Sequence, residues 1–284
     1  MKSYISKHLT YIPKHLYRKL SIAVNDKKLN DHLKTNPKIV PAIISLTTIP
    51  ERIGLIEKAI KSLLYQSWLP ERIILWVDND VIVDNGLKVL SKNYPIFEIR
   101  KCQDVGPHTK LIWSLAEFPD KPIITADDDT LYPFEWFQRL YRSFKRYPKL
   151  ISAVQAKKIG FFEKSNRRFK PYDEWEEYNE IGINPNILPL GKDGVLYPPG
   201  SFHEEVHNIE LLKKLCPKAD DIWFRAMTLL NNTNCLKLNY FHINYNVIKQ
   251  TQNNSLYHSN VHERKNDLQL LKVFEHYNLY DKLH

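Results

Sequence analysis

The chain has 284 residues, of which 43% are hydrophobic and 26% charged, and its net charge is +9. These values are typical of a globular protein with a sizeable core, and they exclude collagen-like, disordered and miniprotein classes. No run approaches the roughly 18 consecutive apolar residues of a membrane-spanning helix, and the N-terminus lacks the apolar core of a signal peptide, so we expect neither cleaved-signal secretion nor a membrane span. Three widely spaced cysteines without a CxxC pair indicate neither a disulfide framework nor a cysteine zinc site, and they favour a cytoplasmic location.

The positive charge is concentrated in two segments. Residues 1–38 contain nine basic and two acidic residues, and residues 157–170 contain six basic and one acidic. Local basicity favours contact with anions over the coating of nucleic acid. Apolar residues spaced by three or four within 1–38 predict a basic helical extension, which either contacts the inner face of the cell membrane or packs on the domain. The second segment is either a contact for an anionic acceptor or lipid phosphate, or a solvated loop.

From residue 39 onward, short β-branched runs alternate with helical periods. The pattern predicts strands at 39–46, 73–77, 96–101, 122–126 and 151–156, and helices at 53–66, 85–92, 109–117 and 134–146. This alternation is typical of an α/β fold with a mainly parallel sheet flanked by helices. We divide the domain, 39–284, into a first half at 39–156 and a less regular second half at 157–284. Ligands of such folds bind beyond the carboxyl ends of the strands.

Three consecutive acids, Asp127, Asp128 and Asp129, follow the predicted strand at 122–126. Adjacent carboxylates repel one another, and a divalent cation relieves the repulsion. Carboxylate oxygens prefer Mg²⁺ or Mn²⁺, which keep positions open for phosphate oxygens. The alternative is a cap for the following helix. A haloacid dehalogenase motif does not fit, since Leu131 stands where that motif has Thr, and no glycine-rich phosphate loop is present.

Five segments in a fixed order carry a resemblance to a known family. They are 44–52 (ISLTTIPER), 78–80 (DND), 126–129 (ADDD), 194–200 (GVLYPPG) and 219–224 (ADDIWF). Together they resemble GT-A-fold glycosyltransferases, in particular a bacterial group found among cell-surface polysaccharide genes, over roughly residues 40–270. The resemblance implies the GT-A (nucleotide-diphospho-sugar transferase) fold. It also implies transfer of a sugar from a nucleotide-sugar donor, UDP-linked, to a hydroxyl of a glycan or lipid-linked glycan acceptor.

The same resemblance implies a donor site at the acidic run. Asp127 and Asp129 would bind the ribose and, through Mn²⁺ or Mg²⁺, the diphosphate, with Asp128 as the ambiguous middle member. Lys110 would reach the diphosphate or hold these carboxylates. His108 would cap its helix or contact the ribose, or simply lie at a solvated helix start.

The resemblance also assigns nucleotide contacts to the turns after the first two strands. Thr47, Pro50 and Arg52 would touch the nucleotide, with Arg52 suited to phosphate by its fork of donors. Asp78, or less surely Asp80, would receive the uracil N–H. For both aspartates the alternative is a solvated turn.

Catalytic and acceptor-binding residues are expected in the second half. In inverting members a carboxylate takes the proton from the acceptor hydroxyl, which points to Asp221 as base and Asp220 as its orienting neighbour; a plain helix cap is the alternative. Tyr197 and Gly200 would form an acceptor wall, and Trp223 would stack on a sugar, although core packing is the alternative for both aromatic residues.

A late histidine completes the metal site in many GT-A enzymes. His258 is our candidate ligand, and a solvated histidine is the alternative. Two other functions stay open. A nucleotidyltransferase is disfavoured because the segment 45–53 has one arginine and no glycine. A non-catalytic glycan-binding protein is disfavoured by the intact Asp127, Asp129 and Asp221.

Overall fold

The computed structural model describes residues 24–163, 167–238, 246–248 and 264–283. The expectations for residues 1–23 and for His258 therefore lie outside the described residues. The strands are β1 (Lys38–Thr47), β2 (Trp68–Asp78), β3 (Phe97–Cys102), β4 (Ile123–Thr125), β5 (Thr130–Leu131), β6 (Ile151–Lys158), β7 (Gly182–Ile183), β8 (Ile187–Tyr197), β9 (Cys235–Lys237) and β10 (Asn246–Val247). The α-helices are α1 (Asp26–Leu33), α2 (Glu57–Leu64), α3 (Asn85–Asn93), α4 (Thr109–Glu117), α5 (Trp136–Arg146), α6 (Ile209–Leu215), α7 (Asp220–Leu230) and α8 (Lys265–Tyr277). Short 3₁₀ turns occupy Pro50–Arg52, Tyr172–Glu174, Glu204–His207 and Tyr280–Lys282.

Eight of the described strands form one sheet in the order β3-β2-β1-β4-β8-β6-β9-β7. Strands β1 to β4 pair in parallel, as predicted for the first half. Strand β8 runs antiparallel between β4 and β6, and β7 runs antiparallel to β9. The α/β class with a mainly parallel sheet is confirmed, and the antiparallel strands are an addition that the sequence pattern did not predict.

Helices cover both faces of the sheet, which explains why its central strands contain continuous buried runs that are almost entirely apolar, for example 42–46 in β1 and 73–77 in β2. One face packs against α1, α2, α3 and α5, whose buried side chains include Leu29, Ile60 and Phe137. The other face packs against α4, α6, α7 and α8, for example through Leu111 and Trp223. The carboxyl ends of β1, β2 and β4 therefore meet at one edge, between the two helix layers.

The N-terminal residues that the structure describes pack on the domain. Leu29 of α1 is fully buried in the core. Asp26 Oδ1 lies 2.6 Å from Lys61 Nζ, and the His32 Nε2 atom lies 2.9 Å from the carbonyl oxygen of Gln66. Of the two predicted alternatives, membrane contact or packing on the domain, residues 24–38 therefore show packing on the domain. Membrane contact stays a prediction for the residues before them.

The helix predicted at 53–66 is shorter than expected. The chain forms a 3₁₀ turn at Pro50–Arg52 and further turns before α2 begins at Glu57. Proline at the start of the turn fixes φ and lacks an N–H, which suits the first residue of a turn. This irregular stretch carries Arg52 toward the acidic run.

The three cysteines, Cys102, Cys216 and Cys235, are buried and free. Burial raises the pKa of each thiol, to about 12 for Cys102 and Cys235. Among the described residues, no helix combines the length and apolar character needed to cross a membrane.

Candidate active site

The acidic run begins two residues after β4, and its middle member is fixed from two directions. Asp128 Oδ2 accepts a hydrogen bond of 2.6 Å from the Thr48 hydroxyl, and Asp128 Oδ1 accepts one of 2.9 Å from Arg52 Nη1. Burial raises the pKa of Asp128, while Arg52 and Thr48 oppose that rise. Asp128 therefore ties the turn after β1 to the end of β4. Sequence analysis missed Thr48, although it adjoins the predicted contact Thr47.

Asp129 is the last member of the acidic run. Its Oδ1 accepts a hydrogen bond of 3.2 Å from the Thr130 hydroxyl, and its Oδ2 lies 3.5 Å from Arg52 Nη1. Burial raises its pKa to about 6, and repulsion from Asp127 and Asp128 adds to the rise. A further positive charge beside Asp129 would relieve this repulsion.

Lys110, in the first turn of α4, joins the acidic run to the second half. Its Nζ lies 2.8 Å from Asp127 Oδ1 and 3.0 Å from Asp220 Oδ2. Burial alone would lower the pKa of Lys110, but the charges of Asp127, Asp220 and Asp221 raise it well above its usual value. The lysine therefore stays charged and holds the two carboxylates. Holding the carboxylates of the acidic run was one of the two roles predicted for it.

The Asp220–Asp221 pair opens α7, and the two acids differ in environment. Asp221 Oδ1 accepts a hydrogen bond of 2.9 Å from the backbone N–H of Gly191. Burial, followed by the charge of Asp220, raises the pKa of Asp221 to about 8. Burial would raise the pKa of Asp220 as well, but the nearby Lys110 lowers it overall. Environments that push two neighbouring pKa values apart are typical of acid–base pairs in active sites.

His108 is fully buried behind this group. Its Nδ1 lies 3.2 Å from the carbonyl oxygen of Val105, and its ring packs edge-on against Phe224. Burial lowers its pKa to about 4. The structure thus places His108 in the core beneath α7 rather than at a solvated helix start.

A bulge in β8 lies directly beside the end of β4. Thr125 of β4 pairs with Val195, while the pairing of β8 with β6 is interrupted between Ala153 and Gln155. The residues that bulge out are 191–194, and their backbone reaches the site at several points. Gly191 binds Asp221, as described, and the carbonyl oxygen of Lys192 lies 3.5 Å from the Tyr132 hydroxyl. Bulges are common next to active sites, where they redirect side chains.

Asp193 lies in this bulge and was missed by the sequence analysis. Its backbone carbonyl accepts a hydrogen bond of 2.7 Å from Trp136 Nε1, and its side chain is buried. Burial raises its pKa to about 7. Gly194 has φ +101°, and a Cβ there would lie 2.5 Å from the Trp136 ring, so only glycine fits. The sequence did contain a signal for this residue, because Asp193 stands between two glycines, in the segment 191–194 (GKDG), inside an otherwise apolar run.

The residues predicted to contact the nucleotide lie at the same edge of the sheet. They differ in their exposure and in the hydrogen bonds that they already make. Asp78, at the end of β2, accepts hydrogen bonds of 3.0 Å from the backbone N–H groups of Asp80 and Asp104, which lower its pKa. Asp80 and Pro50 are exposed. The Thr47 hydroxyl donates to the carbonyl oxygen of Trp76 at 2.9 Å, so it is engaged within the sheet.

Two of the predicted acceptor residues lie in the core. Tyr197 packs against Phe202 and Phe224, and Trp223 is fully buried with its Nε1 donating to the carbonyl oxygen of Val206 at 3.3 Å. The faces of both rings are engaged by other core side chains, so the packing alternative describes both. Gly200 is exposed beyond the end of β8, and its acceptor contact stays a prediction.

Comparison with known proteins identifies the family. Residues 48–202, more than half of the chain, match the model of the family described as Glycosyl transferase family 2. The chain belongs to glycosyl transferase family 2. The GT-A fold implied by the resemblance is thereby confirmed, and the protein is a glycosyltransferase. The match spans the acidic run of this family 2 enzyme and its β8 bulge, but it ends before Asp220 and Asp221.

The solved structures that are similar to this family 2 enzyme have low sequence identity to it and low TM-scores. S. aureus TarS 1–349 in complex with UDP-GlcNAc is 16% identical, with 68% of this chain and 54% of that chain covered and a TM-score of 0.42. The same protein in complex with UDP is 13% identical, with 67% and 55% covered and a TM-score of 0.42. A 4-diphosphocytidyl-2C-methyl-D-erythritol synthase is 10% identical, with 61% and 85% covered and a TM-score of 0.35. The chain thus spans just over half the length of the TarS chain, and no curated protein sequence matches it.

Proposed function

We propose that this glycosyltransferase moves a sugar from a UDP-linked donor to a hydroxyl of a cell-surface glycan or lipid-linked glycan acceptor. One observation carries the proposal: Lys110 contacts both Asp127 of the acidic run and Asp220 of the carboxylate pair on α7. The lysine thereby links the proposed diphosphate site to the carboxylate pair that includes the candidate base Asp221.

A divalent cation, Mn²⁺ or Mg²⁺, belongs to the proposal. Within the described ranges, no group of three or more His, Cys, Asp and Glu side chains could hold a metal ion by itself. The chemistry of Asp127 and Asp129 still fits one, because their oxygens are the ligands that these ions prefer, and burial, followed by repulsion from Asp127 and Asp128, raises the pKa of Asp129. These two residues would hold the cation, with diphosphate and water completing its coordination. When bound, it would supply the positive charge that stabilises the departing diphosphate.

Asp221 is the proposed general base. The acceptor oxygen forms a bond to the anomeric carbon while the bond from that carbon to the diphosphate oxygen breaks, and the hydroxyl proton passes to Asp221. A pKa of about 8 makes the Asp221 carboxylate a stronger base than an exposed aspartate. The N–H of Gly191 orients it, and single displacement inverts the anomeric configuration.

Two observations disfavour the alternative functions, which are nucleotidyl transfer and non-catalytic glycan binding. Membership of family 2 favours glycosyl transfer over nucleotidyl transfer. Lys110 holds Asp127 and Asp220 together in a buried ionic group, which costs desolvation and so favours a working site over a non-catalytic binding surface. A cytoplasmic location at the inner face of the membrane remains part of the proposal.

Calorimetric titration tests the donor site. We would titrate the full chain with UDP and with GDP, each with Mn²⁺ and with EDTA, beside a double variant Asp127→Ala/Asp129→Ala. Asp120→Ala, which changes an exposed acid before β4, is the matched control. We expect UDP binding that requires Mn²⁺ and is lost only in the double variant. Absence of nucleotide binding under every condition would contradict the proposed donor site.

A further inference from the structure

The β8 bulge contains a buried carboxyl group without a partner. Asp193 is 1% exposed, and its Oδ2 has no hydrogen-bond partner among the described residues. Folded proteins pair nearly all such groups, because an unpaired buried polar group costs free energy. Asp193 therefore weakens the fold unless something outside the described residues binds it.

Asp193 lies at the edge of the sheet where proteins of this fold class bind their ligands. Strands β4, β6 and β9 run in the same direction, because β8 is antiparallel to both β4 and β6 while β9 is parallel to β6. Their carboxyl ends therefore share one edge, with Asp127 after β4 and Lys237 at the end of β9. The bulge lies between β4 and β6 at this edge. Ligands of open α/β sheets bind at such an edge.

Lys237 supplies a second buried polar group there. It is 4% exposed, and its Nζ donates to the carbonyl oxygen of Leu238 at 2.8 Å. The charges of Asp193 and Lys237 act on each other, and the exposed Glu177 acts on both. Yet no direct ion pair joins Asp193 to Lys237 among the described contacts.

At this edge β8 carries an unpaired carboxyl oxygen, and β9, on the far side of β6, carries an ammonium group. A ligand that spans them must both donate and accept hydrogen bonds. A sugar hydroxyl does both. Gly191, two residues before Asp193 in the same bulge, binds Asp221, so the bulge adjoins the proposed base. The charge of Asp127 also acts on the Asp193 carboxyl, so the bulge adjoins the proposed diphosphate site as well.

We propose that Asp193 and Lys237 bind a hydroxyl group of the sugar ring held between Asp127 and Asp221, and thereby select which sugar is used. The inference rests on the proposed function, since it concerns the same site. The ring belongs either to the donor or to the acceptor, and the shared chemistry is the hydroxyl group. Asp193 and Lys237 are thus specificity-determining residues of the transferase.

The test uses the full chain and its variants Asp193→Asn and Lys237→Met, with the exposed Glu176→Gln as control. Each is titrated in Mn²⁺ with UDP, UDP-glucose, UDP-galactose and UDP-N-acetylglucosamine. UDP release from each donor is then measured with and without free glucose, galactose or N-acetylglucosamine. UDP carries its ribose but lacks the transferred sugar ring, so its affinity reports the nucleotide site alone.

We expect both variants to bind UDP as the unaltered chain does. If the ring is the donor's, the affinity for the preferred UDP-sugar falls about tenfold or more, as for a lost hydrogen bond to a charged group. If it is the acceptor's, donor affinity is kept and the stimulation of UDP release by a monosaccharide falls by a similar factor.

Unchanged donor affinity together with unchanged stimulation, in both variants, would overturn the inference and leave the donor site standing. Failure of the unaltered chain to bind UDP would instead overturn the proposed function itself. Lys237→Met keeps the test decisive should Asp193→Asn fail to fold.

Discussion

The ammonium nitrogen of Lys110 lies 3.0 Å from a carboxylate oxygen of Asp220, which links a helix of the first half to a helix of the second. The same nitrogen contacts Asp127 at 2.8 Å. Both contacts are shielded from water, since the Lys110 side chain is 10% exposed. One cation therefore fixes the distance between the proposed diphosphate site and the proposed base.

Replacement of Lys110 should destabilise the fold strongly. Lys110→Met leaves two partly buried carboxylates without their counter-charge. Breaking a fully buried ion pair from one side costs about 3–5 kcal/mol, and we expect a loss near the lower end of that range. Urea unfolding at pH 8 measures the loss. Lys88→Met, at an exposed position of α3, should change stability little. Equal losses in the two variants would contradict the bridging role.

Asp221 should govern the pH dependence of activity. Its ionised form is the active base and its pKa is about 8, so the active fraction falls as the pH drops below about 8 and levels off above it. UDP release measured across pH 5.5–9.5 should show this single rising limb. Asp221→Asn should bind UDP normally, lose about 100-fold or more in rate, and lack the limb. A variant that keeps the limb would assign it to another group.

Arg52 should contribute far more than a surface arginine. Its side chain is 14% exposed and that of its partner Asp128 is 7% exposed, so Arg52→Gln removes the counter-charge of a largely buried carboxylate, which keeps only its hydrogen bond from Thr48. We expect a loss of about 3 kcal/mol in urea unfolding. Arg139→Gln, which removes an exposed pair with Glu135 on α5, should cost about 0.5 kcal/mol. Losses of similar size would show that the Arg52 pair is no stronger than a surface pair.

Asp193→Asn should stabilise the protein in alkaline but not in acid solution. Burial raises the pKa of Asp193 from 3.8 to about 7, so the folded chain binds the proton more tightly than the unfolded chain does. The contribution of Asp193 to stability is therefore greatest below pH 4, falls as the pH rises to about 7, and stays low above it. The free energy of unfolding of the variant, relative to the unaltered chain, should increase by on the order of 3 kcal/mol between pH 4 and pH 8. Glu176→Gln should show no such change, and a pH-independent difference for Asp193→Asn would contradict the unpaired burial.

The local hydrophobic pattern of the sequence was sufficient to predict the parallel strands of the first half. The apolar runs around Ile43 and Ile74 are long enough to identify buried strands, and the acidic run after Ile124 identifies the edge that carries the site. The contact of Lys110 with Asp127 was one of the two roles that the family resemblance implied for this lysine.

The second half resisted prediction for a physical reason. Strand β8 contains two glycines and two charged residues within 191–194, so its periodicity is broken where it bulges. Its place between β4 and β6 depends on pairings between residues far apart in sequence, which no short window contains. The buried state of Tyr197 and Trp223 also depends on these distant contacts, whereas their aromatic character alone suggested a sugar-stacking surface.

The three buried thiols make the chain suitable for selective chemical labelling. Alkylating reagents attack the thiolate, and Cys102, Cys216 and Cys235 combine burial with raised pKa values, so they react slowly at neutral pH. A cysteine introduced at an exposed site such as Lys92 would react first. A single fluorophore or spin label could then be attached without removing any native cysteine, which gives optical and magnetic access to motions of α3 during turnover.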